Sequence, residues 1–185
     1  MRKVVASLFI SLDGVAESPN EWQFDVFNDD MGAEIIRQMN EQDALLLGRV
    51  TYEEWVSFWP TATDEPFASL MNKTPKYVVS TTLDKVAWGQ WNTISLLKGD
   101  LAAEINKLKN QPGKNIGVGG SISLTQSLIQ HDLLDELRLM VHPVIVNGGR
   151  RLYREGNDLK RLNLVENRTT STGVLLLTYQ LRRDT

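Results

Sequence analysis

The chain has 185 residues, a length that fits one domain, and we expect residues 1–185 to form a single domain. Hydrophobic residues make up 42% and charged residues 23%, values typical of soluble globular proteins with a sizeable core. The absence of cysteine excludes disulfides, thiol catalysis and cysteine-ligated zinc. With only two histidines in the chain, a multi-histidine metal site is not expected. A net charge of −3 provides no general attraction to nucleic acid.

No apolar segment approaches the length of a membrane span. The apolar run at 4–10 is too short for a signal peptide and lacks a small-residue cleavage pattern after it. We therefore expect a cytoplasmic protein that acts on a small molecule and binds neither membrane nor nucleic acid.

Strand and helix patterns alternate along most of the chain. Apolar runs predict strands at 4–10, 44–47, 77–80, 93–97, 115–116 and 136–141. Apolar residues at helical spacing predict helices at 31–39, 52–56, 66–71, 101–108 and 122–129. Thr51 and Asp100 are predicted to cap the helices that follow them.

The last part of the chain departs from this alternation. Extended runs at 163–169 and 174–181 flank a turn around Gly173, which predicts an antiparallel hairpin at a sheet edge. The predicted fold is therefore α/β, a three-layer αβα sandwich with a mostly parallel central sheet and a C-terminal antiparallel hairpin. The apolar run 174–177 needs cover on both faces, which predicts a homodimer.

A glycine turn at 117–121 is the most informative segment. It follows a short strand pattern and precedes an amphipathic helix pattern. Glycines there let backbone N–H groups approach a ligand, and the helix dipole favours an anion such as a cofactor phosphate. An ordinary structural turn in an α/β protein has the same pattern, so both interpretations stay open on this segment alone.

Two other predicted strands end in residues suited to phosphate. Arg49 presents a planar fork of donors, and Thr51 adds a hydroxyl at a helix start. Ser80 and Thr81 can donate to oxygens such as those of a 2′-phosphate. Open α/β sheets bind ligands beyond the carboxyl ends of their strands, so these segments can line one crevice. Position 122 is isoleucine, which departs from the usual dinucleotide-binding glycine fingerprint.

Five motifs in order resemble the dihydrofolate reductase superfamily, most closely the reductase (C-terminal) domain of the bifunctional riboflavin-biosynthesis deaminase–reductase. The motifs are Ser11-Leu12-Asp13-Gly14, Leu47-Gly48-Arg49-Val50-Thr51-Tyr52, Lys76-Tyr77-Val78-Val79-Ser80, Gly117-Val118-Gly119-Gly120, and Asp135-Glu136-Leu137-Arg138-Leu139 running into His142-Pro143-Val144 and Gly148-Gly149. They span nearly the whole chain.

The resemblance implies an NADPH-dependent reductase that transfers a hydride to a small heterocyclic substrate, pyrimidine-, pterin- or ribityl-like, as in 5-amino-6-(5-phosphoribosylamino)uracil reductase. It also assigns a set of residues to the cofactor. That set is Gly48, Arg49, Thr51, Ser80, Thr81, Val118, Gly119, Gly120, Ser121 and Ile122.

The candidate catalytic acids are Asp13, Asp29 and Asp30. In the resemblance, the loop of Asp13 borders the nicotinamide, while Asp29 and Asp30 lie near the buried acid of folate enzymes. Trp22 and Asp25 are candidate substrate residues, because an aromatic ring beside a carboxylate can stack on and hydrogen-bond a planar heterocycle. A turn residue, helix-start acids and a core aromatic are the structural alternatives.

Other functions remain open. A nucleotide-binding module without chemistry fits the absence of an unambiguous proton donor. True dihydrofolate reduction is disfavoured, because Thr74 stands where folate enzymes carry an arginine. Riboflavin-pathway reduction proper needs a deaminase partner, since no zinc deaminase signature is present. The basic clusters 150–154 and 160–161 are assigned to solvated positions, with phosphate contact as the alternative. His131 and His142 are assigned to structural or surface positions, with a catalytic role as the alternative.

Overall fold

One eight-stranded sheet organises the computed structural model, which describes residues 1–156 and 158–182. Its spatial order is β4-β3-β2-β5-β1-β6-β8-β7. The strands are β1 Val4–Ser11, β2 Gln42–Gly48, β3 Lys76–Val79, β4 Ile94–Leu97, β5 Asn115–Gly119, β6 Glu136–His142, β7 Leu162–Thr169 and β8 Leu175–Leu181. Strand β8 runs antiparallel to both of its neighbours, and the other pairs are parallel.

Helices cover both faces of the sheet, as the alternation of patterns predicted. They are α1 Asp29–Asn40, α2 Arg49–Trp55, α3 Phe67–Lys73, α4 Leu101–Lys109 and α5 Ile122–Gln130. On one face Leu46 packs in a cluster with Ile105 of α4 and Leu128 of α5. On the other face Leu45 and Leu47 pack with residues of α2 and α3. The predicted three-layer sandwich is therefore confirmed.

Met31 of α1 lies on the same face as α2 and α3, in a cluster with Met140 of β6, Val174 and Leu176. No helix in the described part of the chain is long and apolar enough to cross a membrane.

One of the two predicted helix caps is confirmed. The Asp100 carboxylate accepts a hydrogen bond from the Ala103 N–H at 2.9 Å, as an N-cap should. The prediction for Thr51 is wrong, because α2 begins at Arg49 directly after β2 and Gly48 is its N-cap. Thr51 lies inside the first turn of α2, since the chain passes from strand to helix without an intervening loop.

The C-terminal hairpin is confirmed, but its apolar run is not at the sheet edge. Strand β8 lies between β6 and β7, and Val174 and Leu176 are buried within the protomer. The exposed edge is β7, where Leu164 is 49% and Val165 50% exposed. The prediction that the run 174–177 lies open at the sheet edge is therefore wrong, because β7 lies between it and that edge.

Candidate functional site

The three polar segments lie beyond the ends of three neighbouring strands. Strands β3, β2 and β5 are consecutive in the sheet and parallel. In the register, Gly48 is the partner of Val79, and Leu46 is the partner of Val118. Arg49, Ser80 and the glycine turn therefore follow strand ends along one edge of the sheet, although they are distant in sequence.

A buried hydroxyl joins two of these strand ends. The Gly48 N–H donates to Ser121 Oγ at 2.7 Å, and the Ser121 hydroxyl donates to Thr51 Oγ1 at 2.9 Å. Both hydroxyl side chains belong to buried residues. We call this arrangement of Gly48, Thr51 and Ser121 the hydroxyl clasp. It commits the Ser121 hydroxyl to the protein rather than to open solvent.

Because Ser121 is committed to the clasp, helix α5 begins without a side-chain cap. Ser121 is the N-cap residue of this nine-residue helix, yet its side chain accepts no bond from the first turn. Gly120 precedes it with φ of +56°, a left-handed conformation that glycine adopts without strain. The first backbone amides of α5 are thus left to another acceptor.

The indole of Trp55 lies against the glycine turn. A Cβ built at Gly119 would stand 2.7 Å from Trp55 Cη2, and one at Gly120 would stand 3.7 Å from Trp55 Cζ2. Trp55 in turn packs edge-on against Trp59, with ring centroids 6.3 Å apart. This packing therefore requires glycine at 119, whether or not a ligand binds.

The remaining predicted cofactor residues differ in how free they are. Arg49 pairs with Glu53 at 2.8 Å on the exposed side of α2. Ser80 Oγ accepts hydrogen bonds from the N–H groups of Thr82 and Leu83, both at 3.2 Å, so it holds its own turn. Thr81 is exposed, and Ile122 is buried at the start of α5.

Asp13 fastens the loop after β1 to the loop after β6. Its carboxylate accepts from the Ser11 hydroxyl at 2.7 Å and from the N–H groups of Val146 and Asn147, both at 3.0 Å. The Ser11 hydroxyl and the Val146 amide lower the pKa of Asp13 to about 2. Arg151 lies 3.7 Å away. These contacts favour a fixed anion over a proton donor.

Glu17 makes a second link between the same loops. Its carboxylate accepts from Arg150 Nε at 2.6 Å and from the Arg150 N–H at 2.9 Å. The Arg150 side chain lowers the pKa of Glu17. Two arginines of the 150–154 cluster are thus engaged with acids of the β1 loop, a pairing across more than 130 residues that no sequence pattern revealed.

The two acids that open α1 have different surroundings. Asp30 Oδ2 accepts from the Ser171 N–H at 3.0 Å and from the Ser171 hydroxyl at 2.8 Å, which ties α1 to the tip of the hairpin. The Ser171 amide and hydroxyl lower the pKa of Asp30. Asp29 is exposed at the helix start. The prediction did not foresee that Asp30 would serve as a hairpin anchor.

Trp22 and Asp25 lie near a histidine that sequence reasoning set aside. The Trp22 ring packs edge-on against His142, with centroids 5.3 Å apart. The His142 side chain is fully buried at the carboxyl end of β6, beside Ser11 of β1 in the register. Burial lowers the pKa of His142, and the Asp25 carboxylate opposes that effect. Trp22, Asp25 and His142 thus lie close together. The sequence feature that points to this group is a histidine at the end of a predicted strand.

A groove of about 530 Å³ lies apart from these residues, between α3 and the segments 60–62 and 89–91. Pro60, Asn72 and Trp91 are among its lining residues, and none of the predicted site residues lines it. Within the described residues, no group of three or more histidine or acidic side chains is placed to hold a metal ion.

Solved structures of related fold are consistent with this architecture. A protein of Shewanella sp. PV-4 described as a riboflavin biosynthesis protein superposes with a TM-score of 0.81 at 23% identity, covering 98% of this chain and 99% of that one. Dihydrofolate reductase from Enterococcus faecalis, solved with NADP(H), gives 0.64 at 13% identity, covering 98% and 97%. The Thermotoga maritima deaminase/5-amino-6-(5-phosphoribosylamino)uracil reductase gives 0.67 at 12% identity, covering 98% of this chain and 57% of that chain. At these identities the likeness concerns the fold.

Sequence relatives cover nearly the whole chain. The uncharacterised protein YyaP of Bacillus subtilis is 31% identical over 183 residues, covering 96% of this chain and 94% of YyaP. The uncharacterised protein YwjB of the same organism is 26% identical over 168 residues, covering 88% and 89%. The sequence model of the RibD C-terminal domain matches residues 2–176. A match of that length shows that the chain belongs to the RibD C-terminal domain family.

Proposed function

We propose that the protein is an NADPH-dependent reductase of a small heterocyclic compound, pyrimidine-, pterin- or ribityl-like. The observation that carries the proposal is the uncapped N-terminus of α5 beside Gly119 and Gly120, with Arg49 at the neighbouring strand end. Bound there, the cofactor supplies a hydride for an electrophilic carbon. The same proposal places the protein in the cytoplasm.

The residues fit an anionic cofactor. The amides of the first turn of α5 have no side-chain acceptor, and a helix N-terminus favours a pyrophosphate. At Gly119 any side chain would meet Trp55, so this position stays glycine and adds no side chain beside the start of α5. Arg49 is half-exposed and needs to release only a surface pair with Glu53 to reach a phosphate. Thr81 is exposed beyond β3, on the side where a 2′-phosphate would be held.

The protein's own part in the reaction is to bind, orient and exclude water. The hydroxyl clasp fixes the ends of β2 and β5 relative to each other, so Arg49 and the glycine turn keep a constant spacing. Asp13 stays ionised at neutral pH and holds the loop that borders the nicotinamide in the proposal. We assign Asp13 to positioning rather than to proton donation.

Cofactor binding is the first test. NADPH fluorescence titration of wild-type protein and Arg49→Ala should show binding that weakens about tenfold or more in the variant, since one charge-assisted phosphate contact is removed. Arg161→Ala is the matched control. Arg161 is exposed and precedes β7, so it lies at the opposite end of the strands from Arg49. Equal affinity in Arg49→Ala removes Arg49 from the site, and absence of binding by the wild-type protein overturns the proposal.

A second candidate, a nucleotide-binding module without chemistry, is favoured by one observation. The carboxylates of Asp13 and Asp30 both accept hydrogen bonds from backbone N–H groups and serine hydroxyls, so neither is placed as a free proton donor. A substrate panel of pterins, flavins and pyrimidines, followed by NADPH absorbance, separates the two functions. Turnover of any member supports the reductase, whereas tight cofactor binding with no turnover supports the module. Complementation of a riboflavin auxotroph tests the pathway reaction itself.

We also propose that two copies pair through β7. This strand is one edge of the sheet, and Leu164 and Val165 are half-exposed along it. An edge strand with apolar residues is a ready template for another chain. Light scattering at micromolar concentration should give the mass of a dimer, and Val165→Lys should shift it toward the monomer. A monomer in the wild-type protein contradicts the pairing.

A further inference from the structure

His142 combines complete burial with an unused hydrogen-bonding atom. Its Nδ1 lies 2.9 Å from the carbonyl oxygen of Met140, and because a carbonyl only accepts, the ring proton is on Nδ1. Its Nε2 is then a lone-pair acceptor, and it has no partner among residues 1–156 and 158–182. Buried polar atoms without partners are rare, and each one calls for an explanation.

The surroundings of His142 place this acceptor at the predicted substrate end. The imidazole packs edge-on against the rings of Phe9 and Trp22, whose centroids are 5.6 and 5.3 Å away. His142 ends β6 beside Ser11, its register partner on β1. An acceptor next to aromatic rings suits a flat ring that carries a donor.

The segment that packs on His142 has a second unused acceptor. Trp22 is only partly buried, and its indole Nε1 makes one hydrogen bond, to the Glu17 carbonyl at 3.1 Å. Next to it in sequence, Gln23 is buried with its Oε1 unpartnered among the described residues. A second buried acceptor thus lies next in sequence to the tryptophan that packs on His142, and a ligand with N–H groups can satisfy acceptors of this kind.

We propose that His142 recognises the substrate: with the Trp22 indole displaced, its Nε2 accepts a hydrogen bond from an N–H of a planar lactam ring such as that of a pyrimidine. The inference rests on the proposed reductase function and adds to it the residue that recognises an N–H group of the ring. Such a site rejects analogues lacking the donor, because the buried acceptor would be left unpaired.

The test uses uracil and 1,3-dimethyluracil, rings of similar shape that differ in their N–H groups. Nitrogen NMR of the histidine-labelled full chain resolves two residues, and His131→Gln assigns the signals, because His131 is the exposed second histidine. Uracil should shift the Nε2 resonance of His142 and dimethyluracil should not. No shift with uracil, or an equal shift with both rings, overturns the proposal.

A variant gives an independent readout. His142→Leu removes the acceptor while filling the space, so uracil affinity should fall about tenfold, the worth of one buried hydrogen bond. The substitution also removes the Nδ1 hydrogen bond to the Met140 carbonyl, so thermal stability should fall whatever the role of Nε2. The readout that separates the two roles is uracil affinity, which loss of a merely structural histidine would leave intact. Unchanged uracil affinity in a folded His142→Leu overturns the proposal.

NADPH affinity separates this inference from the proposed function. Cofactor binding that is equal in wild-type protein and His142→Leu leaves the reductase proposal standing whatever uracil does. Absence of NADPH binding, with the uracil-dependent shift of His142 present, overturns the reductase and keeps the recognition residue.

Discussion

Trp55 and Gly119 are packed so closely that only a hydrogen atom fits between the indole and the backbone. A Cβ at 119 would stand 2.7 Å from Trp55 Cη2 and 2.9 Å from Cζ3. This contact joins α2 to the end of β5, next to the helix start that we propose holds the cofactor. The glycine is therefore under a packing constraint that operates without any ligand.

Gly119→Ala should destabilise the protein by about 1–3 kcal/mol, because the added methyl group forces the indole from its place. Chemical denaturation measures the free energy of unfolding. Gly148→Ala is the control, since a Cβ there meets nothing within 4 Å. If Gly119→Ala unfolds like the control, the ring is free to move and the packing constraint is absent.

Ser121→Ala should also destabilise the protein, by about 1–3 kcal/mol, because the Gly48 N–H and the Thr51 hydroxyl both lose a buried partner. Ser123→Ala on the same helix removes an exposed hydroxyl and should change stability little. Thermal unfolding of the two variants checks the difference. Equal melting temperatures would show that the clasp contributes nothing to stability.

The link between Asp13 and the 146–147 loop should persist in acid. The folded-state pKa of Asp13 is about 2, below the ordinary value of about 3.9, so its contribution is complete above pH 4 and disappears as the pH falls through about 2. The amide proton resonances of Val146 and Asn147, followed by NMR against pH, report this titration. A midpoint near 4 would contradict the prediction, and Asp13→Asn should abolish the titration altogether.

The buried side chain of Lys76 should make the stability of the protein depend on pH in the alkaline range. Its ammonium is buried, donates to the carbonyls of Met71 and Thr74 at 2.6 Å each, and lies 4.7 Å from the Trp88 ring centroid. Burial lowers the pKa of Lys76 to about 8, below its ordinary value of about 10.4. Between these values the unfolded chain holds more protons, so stability from this group rises with pH.

The measurement compares wild-type protein with Lys76→Met by chemical denaturation at pH 7 and pH 10. Relative to the variant, the wild-type protein should gain about 2–3 kcal/mol between the two conditions. Subtracting the variant removes the effect of the other groups that titrate in alkali. A constant difference would show that the buried amine keeps its ordinary pKa.

Local patterns predicted the fold because the apolar pattern within each strand and helix reflects which of its faces are buried. The run 4–10 is apolar because β1 is central and covered on both faces. The Asp100 cap is predictable because its hydrogen bond joins residues only three positions apart. Thr51 was misassigned because its hydroxyl has a partner 70 positions away, which no local pattern reveals. The contact between Trp22 and His142 was not predicted for a similar reason, because Trp22 reaches the histidine from a loop distant in sequence.

The hydroxyl clasp also divides the carboxyl edge of the sheet into two parts that differ in how they can change. On the side of β2 and β5, a buried serine binds one strand end to the other, so neither moves alone. On the side of β6, the segment 18–27 reaches His142 through the Trp22 ring, whose Nε1 donates to the Glu17 carbonyl. Under the proposed function, substitutions in 18–27 should therefore alter which ring the protein accepts while the proposed phosphate-binding end keeps its shape. Substrate choice and cofactor choice should then be separable by mutation.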